Sequence, residues 1–254
     1  RRHARRAGHV GGAGTPLRLT TDTAEEISPA WSPDGRYVAF LRRTPNEDSI
    51  YLVPALGGPE RKIGQVEASL RRQAWGQCRM SWSPDGKTFA LVNRPSEKEP
   101  YSIYLLSAED GAKRRLSNPP PESDDFFPAF SPDGQTLAFI RSNRINSEDL
   151  FLVSLQDGKE QELTADQRRV HSFAWTADSR ELVFSSNRGG GYSLWRIGVA
   201  GGQPTRVAVT GLHAYSPAIS RQGNSLAYNV TFVDSNIWEL DRTAKRPNAP
   251  VKLI

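Results

Sequence analysis

The stretch Pro29-Ala30-Trp31-Ser32-Pro33-Asp34-Gly35 decides the fold, because its core occurs five times along the chain. The further copies are Trp82-Ser83-Pro84-Asp85-Gly86, Phe130-Ser131-Pro132-Asp133-Gly134, Trp175-Thr176-Ala177-Asp178-Ser179 and Ile219-Ser220-Arg221-Gln222-Gly223. Successive Ser or Thr positions lie 51, 48, 45 and 44 residues apart. A nearly constant period of this length indicates a repeat architecture.

Each copy of the motif opens the same longer unit. In the first unit a short apolar run follows (Tyr37 to Leu41), then a polar loop, an alternating run (Ile50 to Val53), a glycine turn (Gly57-Gly58) and a last run (Arg61 to Ile63). Proline presets φ for a turn, aspartate bonds the backbone ahead of it, and glycine adopts a positive φ at little cost. Each unit is therefore predicted to be an antiparallel meander of four strands.

One such sheet cannot bury both of its faces, whereas sheets stacked around an axis can. The sequence therefore predicts an all-β fold, a β-propeller with five full four-stranded blades at about residues 24–63, 74–116, 124–163, 170–207 and 213–254. Pro16 to Thr20 matches the last strand of a further blade, so we expect part of a six-bladed or larger propeller. A complete, closed propeller with irregular ends is the alternative.

Composition limits the classes of function. The net charge is +5, but Arg1, Arg2, Arg5 and Arg6 belong to a predicted basic, flexible tail of 14 residues, and without them the charge is nearly balanced. A balanced body does not favour nucleic acid binding. We find no apolar run of membrane-spanning length and no signal peptide. The chain begins with Arg and has one Cys, so we expect a segment of a longer or processed protein without an internal disulfide.

The repeat resembles the TolB-like, or PD40, branch of WD40-like propellers. The pattern of that family is matched in order by Pro29 to Gly35, Ala39-Phe40, Ile50-Tyr51 and Gly57-Gly58, and the resemblance covers about residues 15–254. It implies a non-enzymatic module that binds a protein or peptide partner. It also implies a periplasmic location, although the absence of cysteine pairs is compatible with the cytoplasm, and fusion to a regulator or kinase in a larger bacterial protein.

Strand order predicts where a binding site lies. If the motif strand is innermost, the loops entering each blade and the loops between the second and third strands share the face around the channel mouth, and varied polar loops on a rigid scaffold are typical of binding sites. The candidates in the entering loops are Glu26, Arg79, Asp124, Asp125, Arg169, His171, His213 and Tyr215. The candidates in the longer loops are Arg43, Arg94, Arg144 and Arg188. Ordinary solvated loops are the alternative.

The recurring turn residues are predicted to be structural and to lie on the opposite face. These residues are Asp34, Gly35, Asp85, Gly86, Asp133 and Gly134. His171 and His213 occupy equivalent loops of neighbouring units and could hold a metal with Asp124 or Asp125, but two polar loop histidines are the favoured interpretation. We therefore predict neither a metal nor a cofactor.

Common catalytic and nucleotide-binding motifs are absent from the sequence. The sequence has no Gly-x-Ser-x-Gly, and Gly86-Lys87-Thr88 is preceded by Ser81 where a phosphate-binding loop requires Gly. The favoured hypothesis is an interaction module. The alternatives are the propeller of a prolyl-oligopeptidase-like serine peptidase whose catalytic domain lies elsewhere, and a propeller that itself binds a metal or sugar and cleaves it.

Overall fold

A computed structural model describes residues 17–44, 47–66, 80–143, 147–208, 213–223, 225–232, 238–239 and 251–252. Within these residues the regular structure consists of β-strands, with no helix. Four antiparallel sheets of four strands follow one another along the chain, and we call them blades 1 to 4. The predicted tail at 1–14 and the predicted site residues Arg79 and Arg144 lie outside the described residues.

The strands follow the predicted repeat. Blade 1 contains β1 (Glu25–Trp31), β2 (Tyr37–Arg43), β3 (Asp48–Pro54) and β4 (Arg61–Val66). Blade 2 contains β5 (Met80–Trp82), β6 (Thr88–Asn93), β7 (Ser102–Ser107) and β8 (Lys113–Arg115). Blade 3 contains β9 (Ser123–Phe130), β10 (Thr136–Asn143), β11 (Glu148–Ser154) and β12 (Glu160–Glu162).

The last two units continue this order. Blade 4 contains β13 (Val170–Trp175), β14 (Glu181–Ser186), β15 (Ser193–Gly198) and β16 (Thr205–Arg206). In the fifth unit, blade 5, β17 (Ala214–Ile219) pairs with β18 (Leu226–Val230), and β19 (Trp238–Glu239) pairs with β20 (Val251–Lys252). The described strands thus reproduce the four-stranded meander four times and its first hairpin a fifth time.

The hydrophobic cores lie between blades. The inner strands β1, β5, β9, β13 and β17 contact one another in chain order. Leu41 and Ile50 of blade 1 pack with Leu91 of blade 2, and similar cores join blades 2 and 3 and blades 3 and 4. Most of the described hydrophobic core is therefore shared between two blades.

The motif tryptophan links adjacent blades. The indole N–H of Trp82 donates to the carbonyl of Ala30 at 3.2 Å, and that of Trp175 donates to the carbonyl of Ala129 at 3.0 Å. Trp175 is 8% exposed, whereas Trp31 of blade 1 is 47% exposed. The outward side of blade 1 therefore lacks the cover that blade 3 gives to Trp175.

Blade 5 approaches blade 1 again on the turn side. Arg221 Nη1 donates to the carbonyl of Pro33 at 3.3 Å, although 188 residues separate them. Leu19 packs against Val38, Phe40 and Val53 of blade 1. The blades are thus arranged around one axis, and the segment before β1 covers part of the uncovered side of blade 1.

The motif turns repeat the same hydrogen bonds. In blade 1 the Ser32 hydroxyl donates to Asp34 Oδ1 at 2.6 Å and accepts the Tyr37 N–H at 3.0 Å, while Asp34 Oδ1 accepts the Arg36 N–H at 3.0 Å. Gly35 has φ +70°, which costs glycine little. Blades 2, 3 and 4 repeat the pattern with the carboxylates of Asp85, Asp133 and Asp178. Each turn is thereby held by its own side chains, on what we call the turn face.

Candidate functional site

The opposite face carries the loops that enter each blade and the loops between second and third strands, and we call it the loop face. Its blades are joined by a repeated junction. The Asp125 N–H of blade 3 donates to the carbonyl of Tyr101 in blade 2 at 2.8 Å, and the Ala214 N–H of blade 5 donates to the carbonyl of Tyr192 in blade 4 at 3.2 Å. The residue before the third strand of one blade therefore meets the start of the next inner strand.

The side chains at this junction differ from one pair of blades to the next. Tyr101 packs on Phe126 at the junction of blades 2 and 3, with ring centroids 5.7 Å apart. Tyr192 packs on Tyr215 at the junction of blades 4 and 5, with centroids 5.0 Å apart. Between them, at the junction of blades 3 and 4, Glu148 Oε2 accepts the Val170 N–H at 3.1 Å. The same backbone position thus carries either an aromatic ring or a carboxylate.

Three rings come together where blades 4 and 5 meet, and we call His171, Tyr192 and Tyr215 the aromatic corner. The His171 centroid lies 5.0 Å from that of Tyr215 and 6.0 Å from that of Tyr192, with the rings at steep angles of 66° and 78°. All three side chains are half-buried. The Ser216 N–H donates to the Ser172 hydroxyl at 3.1 Å, which fixes β17 against β13. The corner is therefore a packed, partly exposed surface.

Two residues of the corner, His171 and Tyr192, and the neighbouring Glu148 have shifted pKa values. Burial raises the pKa of Glu148 and lowers the pKa of His171, so His171 favours its neutral form. Burial also raises the pKa of Tyr192, and Glu148 adds to that rise, whereas a hydrogen bond from Arg169 opposes it. Shifted groups gathered at one surface mark a functional-site candidate, although ion-pair networks produce them too.

Beside the corner lies the most exposed large apolar side chain of the described residues. Phe232 is 91% exposed and follows β18, whose end is joined to the corner's strand by the Thr231 N–H donating to the carbonyl of His213 at 3.1 Å. His213 itself is exposed, with φ +63°. An exposed aromatic side chain thus follows the strand that pairs with β17, which carries Tyr215.

Two arginines near the ends of second strands, Arg42 in β2 and Arg141 in β10, form matching buried clusters. Arg42 lies over the ring of Tyr51, 4.4 Å from its centroid, and pairs with Glu26 at 2.5 Å and Glu60 at 2.7 Å. Glu26 also accepts the Thr20 hydroxyl at 2.5 Å. Glu26 is therefore committed to holding blade 1 together, so a role in ligand binding would break these bonds.

Blade 3 repeats the cluster. Arg141 lies 4.4 Å from the centroid of Phe151 and pairs with Asp125 at 2.7 Å and Glu160 at 3.0 Å. The prediction that Asp125 is a loop residue is wrong, because it lies within β9 and is fully buried. The Asp125 carboxylate is buried because it pairs with the guanidinium of Arg141.

Arg43 and Arg188 also differ from the prediction of open loop residues. Arg43 lies in β2 and bonds Asp48 at 3.3 Å and Glu25 at 3.1 Å. Arg188 follows β14, but its side chain is only 6% exposed and bonds Asp166 at 3.2 Å. Both guanidinium groups are mostly buried beneath the loop face, because they contact acidic or aromatic side chains there.

The remaining predicted residues stay on the loop face. Arg94 lies over the Tyr101 ring, 5.0 Å from its centroid, and donates to loop carbonyls. Asp124 accepts the Tyr101 N–H at 2.9 Å. Glu148 and Tyr192 were not predicted, and their signal was the position at the beginning of the third strand, since Glu148 is the first residue of β11 and Tyr192 directly precedes β15.

The metal hypothesis has no geometric support in the described part of the chain. No group of three or more His, Cys, Asp or Glu side chains there is arranged to hold a metal ion. Asp124 and Asp125 are engaged at the junction of blades 2 and 3, whereas His171 packs against Tyr215 at the next junction but one. The supposed ligands therefore belong to separate places on the loop face.

Five successive sheet units around one axis, with cores between blades and varied loops on one face, define a β-propeller. The family model described as PD40, TolB beta propeller domain, matches residues 78–244, which is more than half of the chain. The chain belongs to this family. Within the described residues no helix has the length and apolar character needed to cross a membrane.

Similar proteins differ in kind. An uncharacterized protein of Agrobacterium fabrum is 26% identical over 84% of this chain and 68% of its own length. Dipeptidyl-peptidase 5 of Porphyromonas gingivalis is 29% identical over 60% of this chain, but the match spans only 24% of the peptidase. The solved structure of a putative TolB from Agrobacterium tumefaciens aligns with a TM-score of 0.66 at 23% identity, covering 87% of this chain and 76% of that one. This last likeness shows the fold.

Proposed function

We propose that this chain is a non-enzymatic interaction module that binds a protein or peptide partner at its loop face. The supporting observation is the contrast between the two faces. The turn face repeats one self-satisfied set of hydrogen bonds, whereas the junction position of the loop face carries Tyr101, Glu148 or Tyr192 in successive blades, with different neighbours in each. Varied side chains on a rigid scaffold are how propellers and other repeat proteins build binding surfaces.

The proposal includes a setting. The module acts as the sensor or scaffold part of a larger bacterial protein such as a transcriptional regulator, in the periplasm. Membership of the TolB propeller family supports an interaction role. Fractionation of the source cells, followed by immunodetection of this chain, tests the location, and a signal confined to the cytoplasm would contradict it.

Site-specific photo-crosslinking tests the choice of face. A benzoylphenylalanine placed at Arg168 or Thr231 on the loop face is expected to give a discrete adduct in the source cells. The same residue placed at Lys87 or Gln135, both exposed beside motif turns, serves as the matched control. Adducts from the turn-face positions alone, or from no position, would refute binding at the loop face.

The second candidate is the propeller of a serine peptidase whose catalytic domain lies outside this chain. The relation to dipeptidyl-peptidase 5 of Porphyromonas gingivalis favours it. In that case the loop face would face the catalytic domain and filter substrates. Labelling of the native protein by a fluorophosphonate probe supports this candidate, and absence of labelling in the native protein supports the interaction module.

A further inference from the structure

The aromatic corner has the rigidity that a preformed binding surface needs. His171, Tyr192 and Tyr215 support one another at centroid distances of 5.0 to 6.0 Å. The Ala214 N–H donates to the carbonyl of Tyr192 and the Ser216 N–H donates to the Ser172 hydroxyl, so β17, which carries Tyr215, is held against blade 4, which carries His171 and Tyr192. Because these side chains are already ordered, a ligand that contacts them pays little of the usual entropic cost.

An exposed positive charge lies beside the corner. Arg168 is exposed, and no hydrogen bond or ion pair of its side chain is found among the described residues. Arg169 is half-buried and directly precedes β13, the strand that carries His171. The opposing Glu148 carboxylate is occupied by the Val170 N–H. Arg168 thus offers an exposed positive charge, which suits a carboxylate-bearing partner, and Arg169 adds a second charge that Glu148 partly offsets.

On the basis of the proposed function, we infer that the aromatic corner, with Arg168 and Arg169, binds an acidic peptide segment that carries an aromatic side chain. The aromatic residue packs against Tyr215 and the exposed Phe232, while the carboxylates bond the arginines. Tyrosine and arginine dominate the energetics of protein interfaces because they combine large apolar area with polar tips.

Single-stranded nucleic acid is the competing class of ligand, since it also uses basic and aromatic residues. The geometry favours the peptide. His171 meets Tyr215 at 66° and Tyr192 at 78°, so the rings do not form a series of parallel platforms for successive bases. Two neighbouring arginines also fall short of a basic groove that follows a phosphate backbone.

Fluorescence anisotropy with labelled synthetic peptides tests this inference on the full 254-residue chain. The probes are a short Asp/Glu-rich peptide with two tryptophans, its Asn/Gln counterpart, its Trp-to-Ala counterpart, a Lys-rich counterpart and oligothymidylate. The acidic tryptophan peptide is expected to bind most tightly, and more weakly as salt is raised. Equal or tighter binding of the neutral peptide, the basic peptide or oligothymidylate would overturn the inference.

Two variants assign the site. Tyr215→Ala is expected to weaken binding by about tenfold or more, as loss of an interface hot spot does. Tyr101→Ala removes a tyrosine from the matching junction of blades 2 and 3 and is expected to leave binding unchanged. Tyr215→Phe keeps the ring and should keep most of the affinity, so it separates loss of the site from loss of the fold.

The outcomes distinguish this inference from the proposed function. If Tyr101→Ala abolishes binding and Tyr215→Ala does not, the corner is wrong but the loop face remains the binding face. If no peptide binds, the inference fails, while the crosslinking experiment still decides the face. Arg169→Gln should weaken binding of the acidic peptide alone, and an unchanged affinity would remove the arginine from the site.

Discussion

The turn face and the loop face are built from the same repeat but differ in how freely their side chains vary. On the turn face, Ser131 and Asp133 of blade 3 form the bonds that Ser32 and Asp34 form in blade 1. On the loop face, one junction position is Tyr101, Glu148 or Tyr192 in successive blades. The turn requires particular residues, because its backbone geometry depends on them. The junction requires only a hydrogen-bond acceptor, either a backbone carbonyl or another oxygen, so the side chain at that position can vary.

The largest expected effect shows that part of the loop face is nevertheless structural. Asp125→Ala leaves the buried guanidinium of Arg141 without its closest partner, and removing one partner of a buried pair costs about 3–5 kcal/mol. Asp124→Ala, which loses only the bond to the Tyr101 N–H, should cost about 1 kcal/mol. Urea unfolding measures both, and equal losses would contradict the distinction.

The next effect tests the turn face. Ser131 is 1% exposed, and its hydroxyl accepts the Thr136 N–H at 3.0 Å. Ser131→Ala should destabilise the chain by about 2 kcal/mol, because a buried donor loses its acceptor. Gln135→Ala, at an exposed position of the same turn, should change stability by less than about 0.5 kcal/mol. A shift of thermal unfolding in the control as large as that in Ser131→Ala would refute the assigned bond.

A pH experiment probes the buried edge between blades 3 and 4. Burial raises the pKa of Asp149 to about 6, against about 3.9 in an unfolded chain. The folded state therefore holds the proton more tightly, so the stability that Asp149 contributes is complete below about pH 4 and is lost as pH rises through 6. After allowance for solvent screening we expect about 1 kcal/mol.

Asp149→Asn keeps an acceptor for the Thr164 hydroxyl, which donates to Asp149 at 2.9 Å, but removes the titration. The variant should therefore gain stability relative to the parent chain between pH 4 and 7, as measured by urea unfolding at several pH values. Parallel stability curves for the two proteins would show that Asp149 has an ordinary pKa.

The smallest expected effect comes from a substitution that restores the motif residue in the most divergent turn. In blade 5, Gln222 stands where the other turns have Asp, although Ser220 still accepts the Ser225 N–H at 3.2 Å. Gln222→Asp should add the missing acceptor for the serine hydroxyl and stabilise the chain by about 0.5 kcal/mol. Gln222→Asn, which offers an uncharged acceptor at the same place, is the matched control, and destabilisation by Gln222→Asp would show that this turn differs from the others.

The fold could be predicted because the motif specifies a turn by local chemistry. The turn is formed by adjacent residues, Pro33, Asp34 and Gly35 in blade 1. A short stretch of sequence is therefore enough to identify each blade. The loop face could be predicted only in part. His171 and Tyr215 were named from their equivalent positions, but Glu148 and Tyr192 reach the corner from the preceding strand pair. Their contacts depend on how one blade sits against the next.

Burial was the property that sequence could not supply. Asp125, Arg43 and Arg188 are polar residues near strand ends, and nothing local separates them from solvated loop residues such as Arg168. The charged partner of each side chain decides whether it is buried, and these partners lie 5 to 22 positions away. A sequence window cannot see such pairings.

By itself, the sequence determined the repeat, the strand order and the turns, since hydrogen bonds within a few residues fix them. Only the tertiary structure decided which loop-face residues bond to other residues of the chain and which stay accessible to a partner. The physical reason is that both outcomes depend on contacts beyond the local sequence. The guanidinium of Arg141, 16 residues away in the same blade, holds Asp125 inward, whereas packing between blades 4 and 5 brings His171 and Tyr215 together at the surface.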